Sequence, residues 1–234
     1  MAFFNYGMYK GGETQMTLDE YKARAAEEDD WAPGWDAIDE VFDKLYPDQT
    51  PLHYGTEIHK RAMFGGEEYL DGYSIYQSLN GYKHVLTYGM TELYVNEEAF
   101  GGEWSGWGYE MTLKLNEEKA EDCIWAINML SNLARYTYTQ QRIFEPYQFL
   151  AGNGQSIHIG TQSAITALLA VNDTEADGID TIHGRVDFIQ LVGITQRELE
   201  VLKGDSSQAE RLVANMKQDN PFLITDMNRT ISYL

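Results

Sequence analysis

Cys123 is the one cysteine of this 234-residue chain, so an internal disulfide framework is excluded. Basic residues are scarce: 17 Lys and Arg stand against 37 Asp and Glu, for a formal net charge of -20. Such a surface repels phosphate backbones and anionic headgroups, which argues against nucleic-acid and membrane partners. It attracts a basic protein instead. No apolar run approaches the ~20 residues that span a bilayer, and no basic n-region precedes an apolar stretch at the N-terminus. The expectation is a soluble, cytoplasmic protein.

The familiar catalytic signatures are missing as well. No P-loop occurs. "GNGQSIHIG" fails the nucleophile-elbow pattern because His158 stands where glycine is needed, and it fails G-x-G-x-x-G because of Ile157. Cys123 falls on the apolar face of a helical pattern, which reads as a small buried hydrophobe rather than a nucleophile. In "HYGTEIH" the even spacing of His53, Glu57 and His59 places all three on one face of a continuous strand. Parity alone does not make a zinc site, and the expectation is no metal, no cofactor and no catalytic residue.

The chain does contain 43% hydrophobic residues, with 21 glycines and 16 tyrosines, which suits a turn-rich sheet with half-buried aromatics. Residues 1–30 read as an appended helical extension, and 31–234 as the main domain. In the extension, Thr17 caps a mostly polar helix. "WAPGWDAIDEVFDKLYP" then places Trp35, Ile38, Val41, Phe42 and Leu45 at helical period, and Pro47 ends the run. Trp31 lies just outside this helix, where it is expected to staple the first turn. Trp35 opens the apolar stripe and is expected in the core.

Strands are expected at about 54–62, 72–79, 82–90 and 108–115, with Asn80-Gly81 as a hairpin turn. In "GYEMTLKL", Tyr109, Met111, Leu113 and Leu115 point one way, and Glu110, Thr112 and Lys114 the other. A long helix over 119–140 follows. "SIHIG", "SAITALLAVND", the two halves of "IDTIHGRVDFIQLVGIT" and "PFLITDM" read as extended. Thr195, Glu198 and Gly204 cap and stop a helix, and "SSQAERLVANMKQDN" forms another. Strict βαβ alternation is lacking, so the fold class is α+β, a mostly antiparallel, mixed sheet packed with several helices.

Several stretches carry a resemblance to the Suppressor of fused family, specifically to the N-terminal domain of its animal members. These are "APGWDAID", "LYP", "LDGYSIY", "YGMTELY", "SGWGYEMTLKL", "LARYTY", "FIQLVGIT" and "LITDM", in family order from residue 31 onward. The resemblance implies binding rather than catalysis. It is to the bacterial, single-domain branch, whose members are thought to neutralise polymorphic toxins. Tyr94 matches the family's peptide-contacting tyrosine. The family's partner-contacting aspartate is replaced here by Gly102, with Glu103 beside it.

The expected partner face is therefore Tyr94, Glu97, Glu98, Glu103 and Trp104, in an aromatic, acidic segment whose Gly101 and Gly102 leave the loop adaptable. The expected partner is a basic toxin domain. A peptide-binding adaptor without a toxin and a metal-dependent hydrolase are the other readings.

Overall fold

The computed structural model describes residues 16–55 and 69–234. Its centre is one eight-stranded sheet in the order β1-β2-β3-β4-β8-β6-β5, with β7 paired to β8. The strands are β1 (Leu52–Gly55), β2 (Gly72–Gln77), β3 (Lys83–Tyr88), β4 (Trp104–Leu115), β5 (Phe149–Ala151), β6 (Ile165–Asn172), β7 (Ile179–Thr181) and β8 (Gly184–Thr195). The β4–β8 pair is parallel and every other pair antiparallel. Among the described residues five α-helices join it: α1 (Leu18–Glu27), α2 (Pro33–Leu45), α3 (Ile124–Gln140), α4 (Gln196–Gly204) and α5 (Gln208–Met216). The α+β expectation holds.

Side-chain parity divides the helices between the two faces of the sheet. Met111 and Leu113 of β4, Leu168 of β6 and Ile189 of β8 pack with Cys123, Ala126, Leu130 and Ala134 around α3. Burial pushes the Cys123 thiol up to about 12, so it is an inert core residue. The opposite face carries two cores side by side. Ile38 and Phe42 of α2 meet Tyr76, Leu86, Tyr88 and Phe188. Leu199 and Leu202 of α4, with Leu212 and Met216 of α5, meet Leu169, Val192 and Ile194.

A strand with helices over both faces has no solvent side. Glu110, Thr112 and Lys114 do point away from the apolar face of β4, but all three are fully buried. Alternation in sequence revealed the parity and not the cover.

Local chemistry explains the helix starts. The Thr17–Glu20 and Thr195–Glu198 capping boxes open α1 and α4. The N-cap of α2 is Ala32 and supplies no side-chain acceptor. The carbonyl of Leu93 takes that role, accepting the N–H groups of Gly34 and Trp35 at 3.0 and 3.3 Å. A Cβ on Gly34 would sit 1.9 Å from the Glu92 carbonyl oxygen, so only glycine permits this approach.

Trp35 is half-buried rather than fully in the core, stacked on Tyr88 with ring centroids 4.3 Å apart. Trp31 does not staple α2. It turns back to α1, against Tyr21, with the Arg24 guanidinium 4.3 Å from its ring centroid.

Two segments expected to be strands are not. "SIHIG" lies in a turn region: Gly154 and Gly160 take positive φ, and His158 stacks on Trp125. "PFLITDM" contributes a single parallel bridge, Thr225 with Leu115, because Leu223 adopts φ 52° and breaks the extension. The strand expected over 54–62 begins earlier, at Leu52, and beyond residue 55 it lies outside the described residues.

Candidate partner-binding face

The segment joining β3 to β4 contains Tyr94, Glu97, Glu98 and Glu103, and Trp104, the fifth expected contact residue, opens β4 directly after it. Its backbone is held from beneath. The buried Glu110 carboxylate accepts the Thr87 and Thr91 hydroxyls at 2.7 and 2.8 Å and the Gly89 and Thr91 N–H groups at 2.9 and 3.1 Å. Burial pushes its pKa up to about 7, against the pull of these donors. The Glu92 N–H donates to Ser105 Oγ at 3.0 Å, and Leu93 caps α2.

Further along, the Gly101 N–H reaches the Ile182 carbonyl at 2.9 Å, and the Arg185 N–H reaches that of Glu103 at 3.0 Å. A Cβ on Gly102 would meet the His183 carbonyl oxygen at 2.9 Å. Gly102 therefore serves close backbone approach to the β7–β8 turn. The expectation of an adaptable loop is replaced by one of a fixed platform.

From that platform the side chains point outward. Trp104 is 52% exposed and Tyr94 46%, so neither belongs to the core. Glu97, Glu98 and Glu103 are exposed, and Glu97 pairs with Lys22 of α1 at 2.6 Å. The Trp104 indole lies over Gly108, where a Cβ would come within 2.9 Å of it. The five residues thus lie within one run of chain, 94–104, and all are exposed. Trp107, three residues after Trp104, turns inward against Tyr138.

Sequence reading missed the knot that fastens α1 beside this segment. Tyr21 is fully buried, although the rest of α1 is largely exposed. Its ring packs against Trp31, Phe100 and His183. Its hydroxyl accepts the Asn96 N–H at 2.7 Å and lies 2.8 Å from His183 Nε2. His183 Nδ1 faces the Glu92 carbonyl at 3.1 Å, a group that only accepts, so the neutral ring carries its proton on Nδ1 and Nε2 accepts from the Tyr21 hydroxyl. Burial holds the His183 pKa below its ordinary value, in keeping with a neutral ring. The signal available in sequence was a lone tyrosine on an otherwise polar helix.

A second buried polar cluster lies under α2. Asp173 accepts His84 Nε2–H at 3.0 Å, the Thr112 hydroxyl at 2.6 Å and the Lys114 ammonium at 3.0 Å. It also accepts the N–H groups of Glu175 and Ala176. Burial works against its ionisation, but these donors outweigh burial and hold the carboxyl well below the usual range. Tyr46 donates to His84 Nδ1 at 2.8 Å, and Glu175 accepts from Lys114 and Tyr82. Every member is satisfied inside the fold, so the network ties β3, β4 and the turn after β6 together.

His53 hydrogen-bonds Ser74 Oγ through Nδ1 at 3.0 Å, and its ring abuts Trp35 and Tyr88. Glu57 and His59 lie outside the described residues. Among the described residues no group of three or more His, Cys, Asp and Glu is placed to hold a metal ion, and no helix is long and apolar enough to cross a membrane.

The family model for Suppressor of fused protein (SUFU) matches residues 66–230. The chain belongs to the Suppressor of fused family. It is 30% identical over 204 residues to the human Suppressor of fused homolog, covering 80% of this chain and 41% of that protein. It therefore spans about two fifths of the length of the curated relatives it matches.

Among solved structures it is similar to a chain of the Sufu–Fu complex, with TM-score 0.74 and 26% identity over 86% of this chain and 93% of that one. Drosophila Suppressor of Fused matches with TM-score 0.73 and 26% identity, over 86% of this chain and 51% of that one. A Suppressor of fused homologue from Neisseria gonorrhoeae shares the fold, with TM-score 0.59 and 16% identity over 86% of this chain and 97% of that one. Family membership supports a protein-binding role.

Proposed function

We propose that this Suppressor of fused domain is a non-enzymatic binding module that neutralises a basic toxin domain by covering it with the β3–β4 segment. The observation that carries the reading is the pairing of two exposed aromatics, Tyr94 and Trp104, with exposed acids on a backbone fixed at both ends. A preorganised segment loses little entropy on docking, and Tyr and Trp supply the area of a binding hot spot. The surrounding carboxylates, in a chain of net charge -20, steer a cation-rich partner to this face. The Sufu–Fu complex favours a second reading, a regulatory adaptor that binds a protein without any toxin.

The test is association kinetics with the partner recovered from the native host, at two salt concentrations. Glu97→Lys with Glu98→Lys slows association about tenfold at low salt and little at high salt. Tyr94→Ala instead raises the dissociation rate by tenfold or more, about 1.4 kcal/mol. Variants that bind like the parent, with no salt dependence, overturn the placement of the face. A recovered partner without toxicity when expressed alone selects the adaptor reading.

A further inference from the structure

The far edge of the sheet offers a second, independent surface. Strand β5 pairs with β6 on one side, and among the described residues no strand pairs with it on the other. The Ala170 N–H donates to the Gln148 carbonyl at 2.8 Å. Antiparallel alternation from that bond points the polar backbone groups of Leu150 inward to Leu168, and those of Phe149 and Ala151 outward.

A hollow flanks this open edge on each face. On the α3 side, about 550 Å³ is lined by Leu133, Tyr136, Ile143, Phe144 and Leu150. On the α5 side, about 800 Å³ is lined by Gln141, Pro146, Tyr147, Ser206 and Ser207. Arg142 lines both and is the one charged residue in either. It is exposed, and its guanidinium makes no hydrogen bond or ion pair with a described residue.

We propose that the β5 edge binds an extended acidic segment of a protein partner by strand addition. A strand laid along β5 takes its main-chain bonds from Phe149 and Ala151 and sends successive side chains to opposite faces. Apolar residues enter the hollow beside Tyr136 and Ile143. The intervening residues enter the α5-side hollow, where carboxylates meet Arg142 and the Ser206 hydroxyl, while the Ser207 hydroxyl stays with Asp205 at 2.6 Å. In a chain this acidic, a cation facing both hollows selects an occupant opposite in charge to the one expected at Tyr94 and Trp104.

The test uses a short fluorescent peptide alternating valine and glutamate, its lysine-for-glutamate counterpart, and a version N-methylated at alternate amides. The expected result is saturable binding of the glutamate peptide, with shifts confined to the amides of 142–151. The lysine and N-methylated peptides bind about tenfold more weakly or worse. Arg142→Glu reverses the charge preference. Ala151→Pro removes an outward N–H that β6 does not use, so it abolishes binding while thermal unfolding stays close to the parent's. Tyr94→Ala leaves the peptide affinity unchanged, which separates this surface from the one proposed above. Equal binding of the lysine peptide, parental binding by Ala151→Pro, or no saturable binding of any peptide overturns the proposal.

Discussion

The β3–β4 segment and the strand it leads into, β4, are consecutive in the chain and both place carboxylates at key positions, yet they use charge in opposite ways. Glu97, Glu98 and Glu103 face water, and the Lys22–Glu97 pair is about half exposed at each end. Glu110, and the Asp173 that gathers Thr112 and Lys114 of β4, are buried with donors on both carboxylate oxygens. Exposed pairs contribute little to folding because water and salt screen them. Buried charges are held only by complete pairing, so loss of one partner strands the rest. Carboxylates of the first kind are free to serve association; those of the second kind hold the platform in place.

The strongest way to break this contrast is Asp173→Ala, which leaves buried His84 Nε2 without its acceptor and Lys114 with only Glu175 and Thr174. The expected loss is about 3–5 kcal/mol by urea unfolding at neutral pH. Adding Lys114→Met recovers part of that loss, because a buried cation that has lost one of its two carboxylates is removed. Additive losses in the double variant would mean that the network is not coupled.

Glu110 sharpens the contrast through pH. Its folded value of about 7 lies above the ordinary 4.5, so the folded protein binds more protons between those values. Its contribution is complete below the unfolded value and is lost as pH rises through the folded one. Relative to Glu110→Gln, the parent therefore loses up to about 3 kcal/mol between pH 4.5 and pH 7. Parallel pH profiles for parent and variant would contradict this.

Tyr21→Phe deletes the hydroxyl between Asn96 and His183 and keeps the ring. About 1 kcal/mol is expected, seen as faster amide hydrogen exchange in α1 with the rest of the sheet unchanged. The smallest effect on folding belongs to Glu98→Lys and Glu103→Lys. Each is expected to change stability by less than about 0.5 kcal/mol while altering the salt dependence of association. A large loss of stability there would erase the distinction between the two sets.

Much of the fold was legible because it depends on short-range periodicity. The parity of β4, the α2 stripe ended by Pro47, the Asn80-Gly81 turn and the Thr195–Glu198 capping box are local signals that survive folding. The candidate face was proposed from aromatics in a glycine-rich run, but Gly102 was misread as a source of adaptability. Gly102, like Gly34 in α2, is required by a backbone from a distant part of the chain, His183 for one and Glu92 for the other, and no window around either residue contains that information. Trp31 was read against its own helix, whereas its partner, Tyr21, lies in the helix before.

By itself the sequence determined the helix of α2, the capped start of α4, which side chains of β4 share a face, and that the chain is acidic. These follow from backbone period, capping chemistry and counted charge. Only the tertiary structure decided that both faces of β4 are covered, that Glu110 and Lys114 are structural while Glu97 and Glu98 remain in water, and that Arg142 stands beside an open strand edge. The physical reason is that burial is set by what packs from elsewhere in the chain. A carboxylate has the same sequence signature whether four donors or the solvent surround it.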